Sequence, residues 1–306
     1  MQTKLAGSTA RDYHSILNAR VFPHLGTVRL KDTRPEHLDR FTNYLKSLKG
    51  NEGKLSPRRI NIILLRVRQV LDLAFAREYL EKNPHGWIIL QEERRPRVDP
   101  FGFEERQRFL AHVHEPEHGF RKACPTFWVN YFTVAFDTGM RPSEQMALRW
   151  LPDADHAEKS SYVDFAHKKI FIGQGWVRGE ETDLKTSGSY REIDMLPTVV
   201  QVLCTQREGI QSAWVFPNAD GGRLNLENLR HRVWYPTLER AGLRPRDLYQ
   251  CRHTFASLML QEGEDPACVA RMMGHTTTKM LYERYHRFIQ HRTRRDGELY
   301  LKRLEE

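Results

Sequence analysis

Apolar residues recur at helical spacing through the first third of the chain. A cap at Ser8 or Thr9 opens a predicted helix through Tyr13, Ile16, Leu17 and Val21, with Pro23 and Gly26 as its stop. Thr33 and Pro35 precede Leu38, Phe41, Leu45 and Leu48, which share one face of a second helix closed by Gly50. Ser56 and Pro57 begin the longest predicted helix, ending near Asn83 and Pro84, with Ile60, Leu64, Val67, Leu71, Ala74 and Phe75 as its buried stripe. Residues 91–100, QEERRPRVDP, carry dense charge, two prolines and a single apolar residue, the composition of a linker. Helices resume over Phe103 to Val113 and over Thr126 to Asp137, where Phe127, Trp128, Tyr131, Phe132 and Phe136 recur as core aromatics do. Between Leu151 and Leu196 the period drops to two, in YVDF, KIFIG and TDLKTSGSYREIDML. There the cluster Thr186 to Ser189 reads as a turn that puts Lys185 at the edge or tip of a hairpin. Beyond Pro197 the pattern is helical again, including LENLRHRVWYPTLERAGL up to Gly242. The expectation is a mainly α chain with a small β-sheet (α+β): a helical domain over 1–92, a linker over 93–100 and a second domain over 101–306.

Composition narrows the classes. At 306 residues the chain is long enough for two cores, and no apolar run approaches the ~18 residues of a membrane helix. Cys124, Cys204, Cys251 and Cys268 lie far apart with no CxxC pair, and the polar N-terminus lacks the apolar segment of a secretory signal, so a reduced, cytoplasmic protein is expected. The net charge is +9, unevenly spread: residues 1–92 hold 16 Lys and Arg against 9 Asp and Glu, leaving 32 against 30 for the rest. A basic domain beside a nearly neutral one suits a protein that grips a polyanion with one part and works on it with the other, although a solvated basic surface reads the same way.

Candidate chemistry lies mainly in the second domain. The stretch YQCRHTFASLMLQEGEDPACVARMMGHTTTKMLYERY, from Tyr249 to Tyr285, brings an arginine, histidines and two late tyrosines together on short helical segments. Arg141, between Gly139 and Pro142, is either preorganised for a ligand or tied to Glu144 one turn on. Lys185 can swing from its turn into a groove or stand solvated there. Arg59, Arg66 and Arg77 line one side of the longest helix, either to track duplex phosphates or as the polar side of an ordinary amphipathic helix. His112, His114 and His118 are irregularly spaced around Pro116, a poor metal-ligand pattern, and GQG at 173–175 lacks the context of a nucleotide-binding loop.

Three separated motifs share one resemblance. TGMRPSEQMALRW resembles the first conserved box of the tyrosine recombinases, or phage-type integrases, and LKTSGSYREIDML resembles their catalytic hairpin. YQCRHTFASLMLQEG and then ARMMGHTTTKMLYERY are similar to the second box through to the nucleophile. The resemblance implies a helical core-binding domain followed by a tyrosine-recombinase catalytic domain. Its function would be site-specific DNA recombination through a 3′-phosphotyrosyl intermediate, without metal or other cofactor. Arg141 and Arg252 would clamp the non-bridging oxygens, Lys185 would protonate the leaving 5′ oxygen, and His275 would hydrogen-bond the phosphate. Glu144 would orient rather than react.

Two positions depart from the family pattern. Tyr249 stands where the second box begins with histidine; it can donate a hydrogen bond to phosphate but cannot act as a near-neutral base. Nine residues after His275, where many relatives carry the nucleophile, stands Arg284, with Tyr282 at seven and Tyr285 at ten. Tyr285 is chosen because relatives that share YQxRHT use ten, and His253 is read as structural. The implied partners are double-stranded DNA and further copies of the chain, as a tetramer with the tail after Tyr285 docked on a neighbour, with room for a host DNA-bending factor and none for a membrane. Many relatives carry an additional arm-binding domain ahead of the core-binding one. Two alternatives are a type IB topoisomerase and a DNA-binding regulator on a recombinase scaffold.

Overall fold

The computed structural model describes residues 7–50, 53–93, 98–113, 126–152, 160–177, 180–183, 190–289 and 304. They belong to two compact units that divide between Pro96 and Arg97.

The first unit is helical. Helix α1 (Gly7–Ile16) runs through a π turn (Leu17–Val21) into α2 (Phe22–Leu25), followed by α3 (Pro35–Ser47), the short hairpin β1 (Lys49–Gly50) and β2 (Gly53–Lys54), and α4 (Pro57–Ala76). Pro23 therefore does not stop the first helix. A proline lacks an N–H and its ring collides with the carbonyl four residues back; widening the preceding turn by one residue relieves both problems, and Pro23 sits in the first turn of α2. The Ser56 hydroxyl caps α4 by accepting from the Arg59 amide at 3.2 Å. That helix stops at Ala76, short of Asn83, because Glu78 takes a left-handed conformation (φ 61°), which returns Leu80 and Ile88 to the core. Its buried stripe is Ile60, Ile63, Leu64, Val67, Leu71 and Ala74; Phe75 lies a further ~100° around the helix and is 45% exposed, against the sequence expectation.

The boundary is tied down on both sides. Buried Asn61 on α4 donates to the Gln91 carbonyl (2.9 Å) and the Glu93 carboxylate (2.7 Å) and accepts from the Gln91 amide (2.7 Å), which fixes the start of the polar run to the first unit. On the other side the Asp99 amide donates to Gln250 (3.1 Å) and the Phe101 amide to Thr254 (2.9 Å), within the second unit. Residues 94–97 lie outside the described residues.

The second unit opens with α5 (Phe103–Ala111), α6 (Phe127–Thr138) and α7 (Pro142–Met146). Helix α6 is apolar on nearly every side and is the centre of the core, as a helix hydrophobic all round must be. Its Phe132 meets Phe109 edge-on at 5.0 Å, and Trp234 and Phe101 close the same aromatic cluster. Five strands follow: β3 (Tyr162–Asp164), β4 (Lys169–Ile172), β5 (Gln174–Val177), β6 (Glu180–Asp183) and β7 (Arg191–Asp194). Strand β7 pairs antiparallel with β4, which pairs with β3, while β5 and β6 form their own hairpin. Among the described residues β7 thus takes β4 as its partner and β6 takes β5; the predicted turn at 186–189 and Lys185 beside it lie outside the described residues. Ile170, Ile172 and Ile193 alternate onto the core, whereas EETD offers no apolar residue to place there.

The remaining elements are α8 (Pro197–Gly209), α9 (Leu226–Leu229), a π turn (Arg230–Trp234), α10 (Tyr235–Arg240), α11 (Gln250–Gln261), α12 (Pro266–Met273) and α13 (Thr278–Tyr285). The second π turn again precedes a proline, Pro236, and keeps α9 and α10 in one rod.

Gly139 ends α6 with φ 63°, and a Cβ built there would stand 2.5 Å from the Phe255 ring on α11. Gly139→Ala is expected to lower folding stability by about 2–4 kcal/mol, combining left-handed strain with forced displacement of a core ring. Denaturant titration checks this; an unchanged midpoint would contradict it.

Candidate active site

The end of α6 and the start of α7 hold Arg141 in place. Left-handed Gly139 breaks one helix and Pro142 begins the next, leaving Arg141 as the residue before the first turn of α7. Glu144, three residues on, accepts from the Arg141 amide at 2.8 Å and from its guanidinium at 2.5 Å. A charged residue as buried as Glu144 requires several donors. Arg191 supplies two more from β7, at 3.1 and 2.8 Å, and is itself 3% exposed. Burial by itself would raise the Glu144 pKa, but Arg191, Arg141 and Arg252 outweigh it and hold the carboxyl at about 2.

Sequence reasoning assigned Arg191 no role. Its parity offers a signal: it alternates with Ile193 and Met195, so it points to the inward face, where a cation requires a carboxylate. Its Nε donates to the Met272 carbonyl at 2.6 Å, joining β7 to the end of α12 as well as to α7.

Arg252, on the first turn of α11, is 1% exposed. It donates to two carbonyls that helix ends leave free, those of Gly139 (2.5 Å) and Met273. Burial lowers its pKa to about 10, with Tyr249 and Glu144 opposing and Arg141 and Arg191 adding to the drop, so it stays charged at neutral pH. Arg141 moves upward: burial works against the charge, but Glu144 and the Tyr249 phenol overcome it.

Left-handed Gly274 ends α12, and the His275 amide turns back to the Ala270 carbonyl at 2.9 Å, which locks the backbone of the histidine. Its Nδ1 is buried and has no hydrogen-bond partner among the described residues. Burial, then Arg252, Arg141, Arg284 and Arg191, lower its pKa to about 3, so the imidazole is neutral at physiological pH.

Helix α13 carries both tyrosines. Tyr282 is 47% exposed; Tyr285 is 1% exposed, and its hydroxyl oxygen lies 2.5 Å from Nδ1 of His253. Burial raises the Tyr285 pKa, with Arg252 and Arg284 only partly offsetting it. Half-buried Tyr249 lies edge-on to His253 with ring centroids 5.2 Å apart.

The structure thus groups Arg141, Glu144, Tyr249, Arg252, His275 and Tyr285 with the unanticipated Arg191 and with His253, which the sequence reading took as structural. The cluster is strongly cationic, with Glu144 as its central carboxylate, and suits an anion such as a phosphodiester. Lys185 lies outside the described residues, as do His114 and His118. The Nδ1 of His112 bonds to the Arg108 carbonyl at 2.8 Å, and no group of three or more His, Cys, Asp or Glu among the described residues is placed to hold a metal ion.

The three arginines of the first unit have separate fates. Arg59 and Arg77 are exposed, Arg77 just past the end of α4. Arg66 instead lies 3.8 Å over the Tyr13 ring and donates to the Tyr13 hydroxyl (2.7 Å) and to Gln69 (2.9 Å), tying α4 to α1.

Residues 101–291 match the model of the phage integrase family, and residues 1–46 match that of the phage integrase N-terminal SAM-like domain. The prophage integrase IntR of Escherichia coli strain K12 is 24% identical over 286 residues, covering 87% of this chain and 66% of its own length. The chain therefore spans just under two thirds of the length of that curated relative. Among solved structures, a Tn1549 transposon integrase in complex with a circular intermediate DNA shares the fold, with a TM-score of 0.76 at 16% identity over 99% of this chain and 95% of that one. A lambda integrase dimer bound to a COC′ core site also shares it, with a TM-score of 0.67 at 13% identity over 96% and 92%. With the catalytic-family match running through every segment that contributes to the cluster, this chain belongs to the phage integrase family.

Proposed function

We propose that the chain is a site-specific DNA recombinase that cleaves and rejoins duplex DNA through a 3′-phosphotyrosyl link at Tyr285. One observation carries this reading: three separate segments bring Arg141, Arg252, His275 and Tyr285 into a single electrostatic neighbourhood, in a chain of the phage integrase family. Each group then has a step. Arg141 and Arg252 take the non-bridging oxygens of the scissile phosphate, where their charge counts most as the pentavalent transition state forms. Neutral His275 adds one hydrogen bond without needing to ionise. The Tyr285 oxygen attacks phosphorus, the bond to the 5′ oxygen breaks, and Lys185 protonates that oxygen as it leaves. Glu144 and Arg191 hold the arginine frame in register, and Tyr249 supports Arg141.

The remaining assignments rest on this reading. The first unit is the core-binding domain, and its basic excess, including exposed Arg59 and Arg77, meets duplex phosphates. Strand exchange needs two duplexes and four active sites, so the working form is a tetramer, with the tail after Tyr285 on a neighbouring protomer and a host DNA-bending factor as an accessory partner. The protein is DNA-associated in the cytoplasm; among the described residues no helix is long and apolar enough to cross a membrane.

Covalent capture tests the proposal. The full chain is incubated with a randomised duplex pool nicked near the cleavage position, and adducts stable to denaturant are recovered and sequenced. A defined duplex family joined to protein through a 3′ phosphate supports the reading. Sequence-specific binding with no adduct would overturn it in favour of a regulator.

A further inference from the structure

The proposed chemistry leaves one step without an agent: the phenol proton of Tyr285 must go somewhere as its oxygen attacks phosphorus. We propose that His253 accepts it at Nδ1 and returns it when the strand is resealed. The inference rests on Tyr285 being the nucleophile.

The geometry is direct. His253 Nδ1 lies 2.5 Å from the Tyr285 oxygen, and the two rings pack with centroids 5.6 Å apart. With Tyr285 at 1% exposure, its O–H requires an acceptor inside the protein, and a buried hydroxyl left without one is costly. Nδ1 as that acceptor fixes the tautomer, with the imidazole proton on Nε2. The edge-on Tyr249 ring also packs against the imidazole, at 5.2 Å between ring centroids, and limits its rotation.

The surroundings keep the acceptor available. Among the described residues, the charged and titratable groups around His253 are Arg284 on α13, Arg252 on α11, Tyr249 and Asp247 just before α11, and Tyr285 itself. Burial together with Arg284 and Arg252 lowers the His253 pKa to about 4, so the lone pair on Nδ1 is free throughout the neutral range. Such a weak base does not strip the resting phenol, whose own pKa is raised by burial. The transfer instead accompanies attack. As the oxygen bonds to phosphorus its proton becomes acidic and passes to Nδ1; the P–O5′ bond breaks, and the leaving oxygen takes a different proton from the general acid. Resealing runs the same steps backwards. Tyr249, in the position where the family pattern has histidine, cannot supply this base, and His253, four residues later on α11, is in contact with the nucleophile.

The test uses a nicked duplex recovered by covalent capture and resynthesised with a 5′-bridging sulfur, a leaving group that needs no proton, so that the rate reports the nucleophile's side alone. The wild-type rate is expected to be flat between pH 6 and 8. His253→Asn keeps a hydrogen-bond acceptor near the Nδ1 position but cannot hold the proton. It is expected to capture about 100-fold more slowly at pH 7, with a rate that rises tenfold per pH unit as tyrosine ionisation takes over, at unchanged DNA affinity. A His253→Asn rate equal to wild type, or slower but still flat with pH, overturns the proposal. Independently of any variant, nitrogen NMR of histidine-labelled protein is expected to show His253 protonated at Nε2; an Nδ1–H tautomer overturns it too. Wild-type protein that captures no DNA at all removes the strand-transfer reading and this inference with it, whereas normal capture with an indifferent His253→Asn removes this inference alone.

Discussion

A Tyr285→Phe chain is expected to form no covalent adduct on nicked DNA, while Tyr282→Phe is expected to retain capture within a few-fold of wild type. The two residues are one helical turn apart on α13, but their surroundings differ in kind. The Tyr282 side chain is 47% exposed, whereas the Tyr285 oxygen meets His253 and feels the charges of Arg252 and Arg284. With Tyr285 as the proposed nucleophile, removing its hydroxyl deletes the attacking atom, so the expected loss exceeds about 1,000-fold and the residual rate falls to background. Because the hydroxyl is buried and hydrogen-bonded, its loss also carries a modest stability change of about 1 kcal/mol, too small to account for lost capture. Adduct formation followed by denaturing electrophoresis checks both variants. Capture by Tyr285→Phe alongside failure of Tyr282→Phe would move the nucleophile to Tyr282.

Arg191→Met is expected to lower folding stability by about 3–5 kcal/mol and to slow capture by well over tenfold in whatever fraction stays folded. Arg191 and Glu144 are a buried pair, 3% and 1% exposed, and removing one partner strands the other. Glu144 would retain Arg141 as its direct partner, but Arg141 would lose the fixed carboxylate geometry that aims it. Acid behaviour gives a second readout with a definite sign. The Glu144 pKa lies below its unfolded value, so its contribution is fully present above about pH 4.5 and disappears as pH falls toward about 2. The shift corresponds to roughly 3 kcal/mol. Arg191→Met raises the folded pKa and should therefore flatten the fall in stability across that window, while Arg191→Lys keeps the charge but not the fork that reaches both carboxylate oxygens and the Met272 carbonyl, and should restore only part. Equal stability of wild type and Arg191→Met between pH 5 and 8 would contradict the account.

Much of the architecture was legible because local rules and tertiary context agree. Pro57 after Ser56, left-handed Gly139 before Pro142 and the apolar run of α6 each have one good physical reading, and the structure uses it. Pro23 was misread because a proline's effect depends on whether the preceding turn can widen, and local sequence does not reveal a π turn. The pairing of β7 with β4 was hidden for a related reason: nearness in sequence favoured the turn at 186–189, but only the strand carrying Ile170 and Ile172 could complete the buried face of Ile193. Within the site, motif spacing pointed to Arg141, Arg252, His275 and Tyr285. Helix spacing did not reveal the Arg66 contact with Tyr13, because an arginine facing away from a helix's own apolar stripe can still be held by another helix, here α1. Arg191 lies within LKTSGSYREIDML and His253 within YQCRHT, but neither motif reveals a partner for them. Their roles come from contacts across 47 and 32 residues, with Glu144 and Tyr285, which only the fold brings together.

The central claim is that this cluster makes Tyr285 a nucleophile toward DNA, and peptide mapping of the wild-type adduct tests it most directly. Trypsin separates the candidates, because Tyr282 lies in the peptide MLYER and Tyr285 begins the next one, YHR. After capture on a nicked duplex, nuclease trimming and tryptic digestion, mass spectrometry is expected to find the nucleotide remnant on YHR or on its read-through product, with MLYER unmodified. A remnant on MLYER, or on any peptide that lacks Tyr285, would contradict the account.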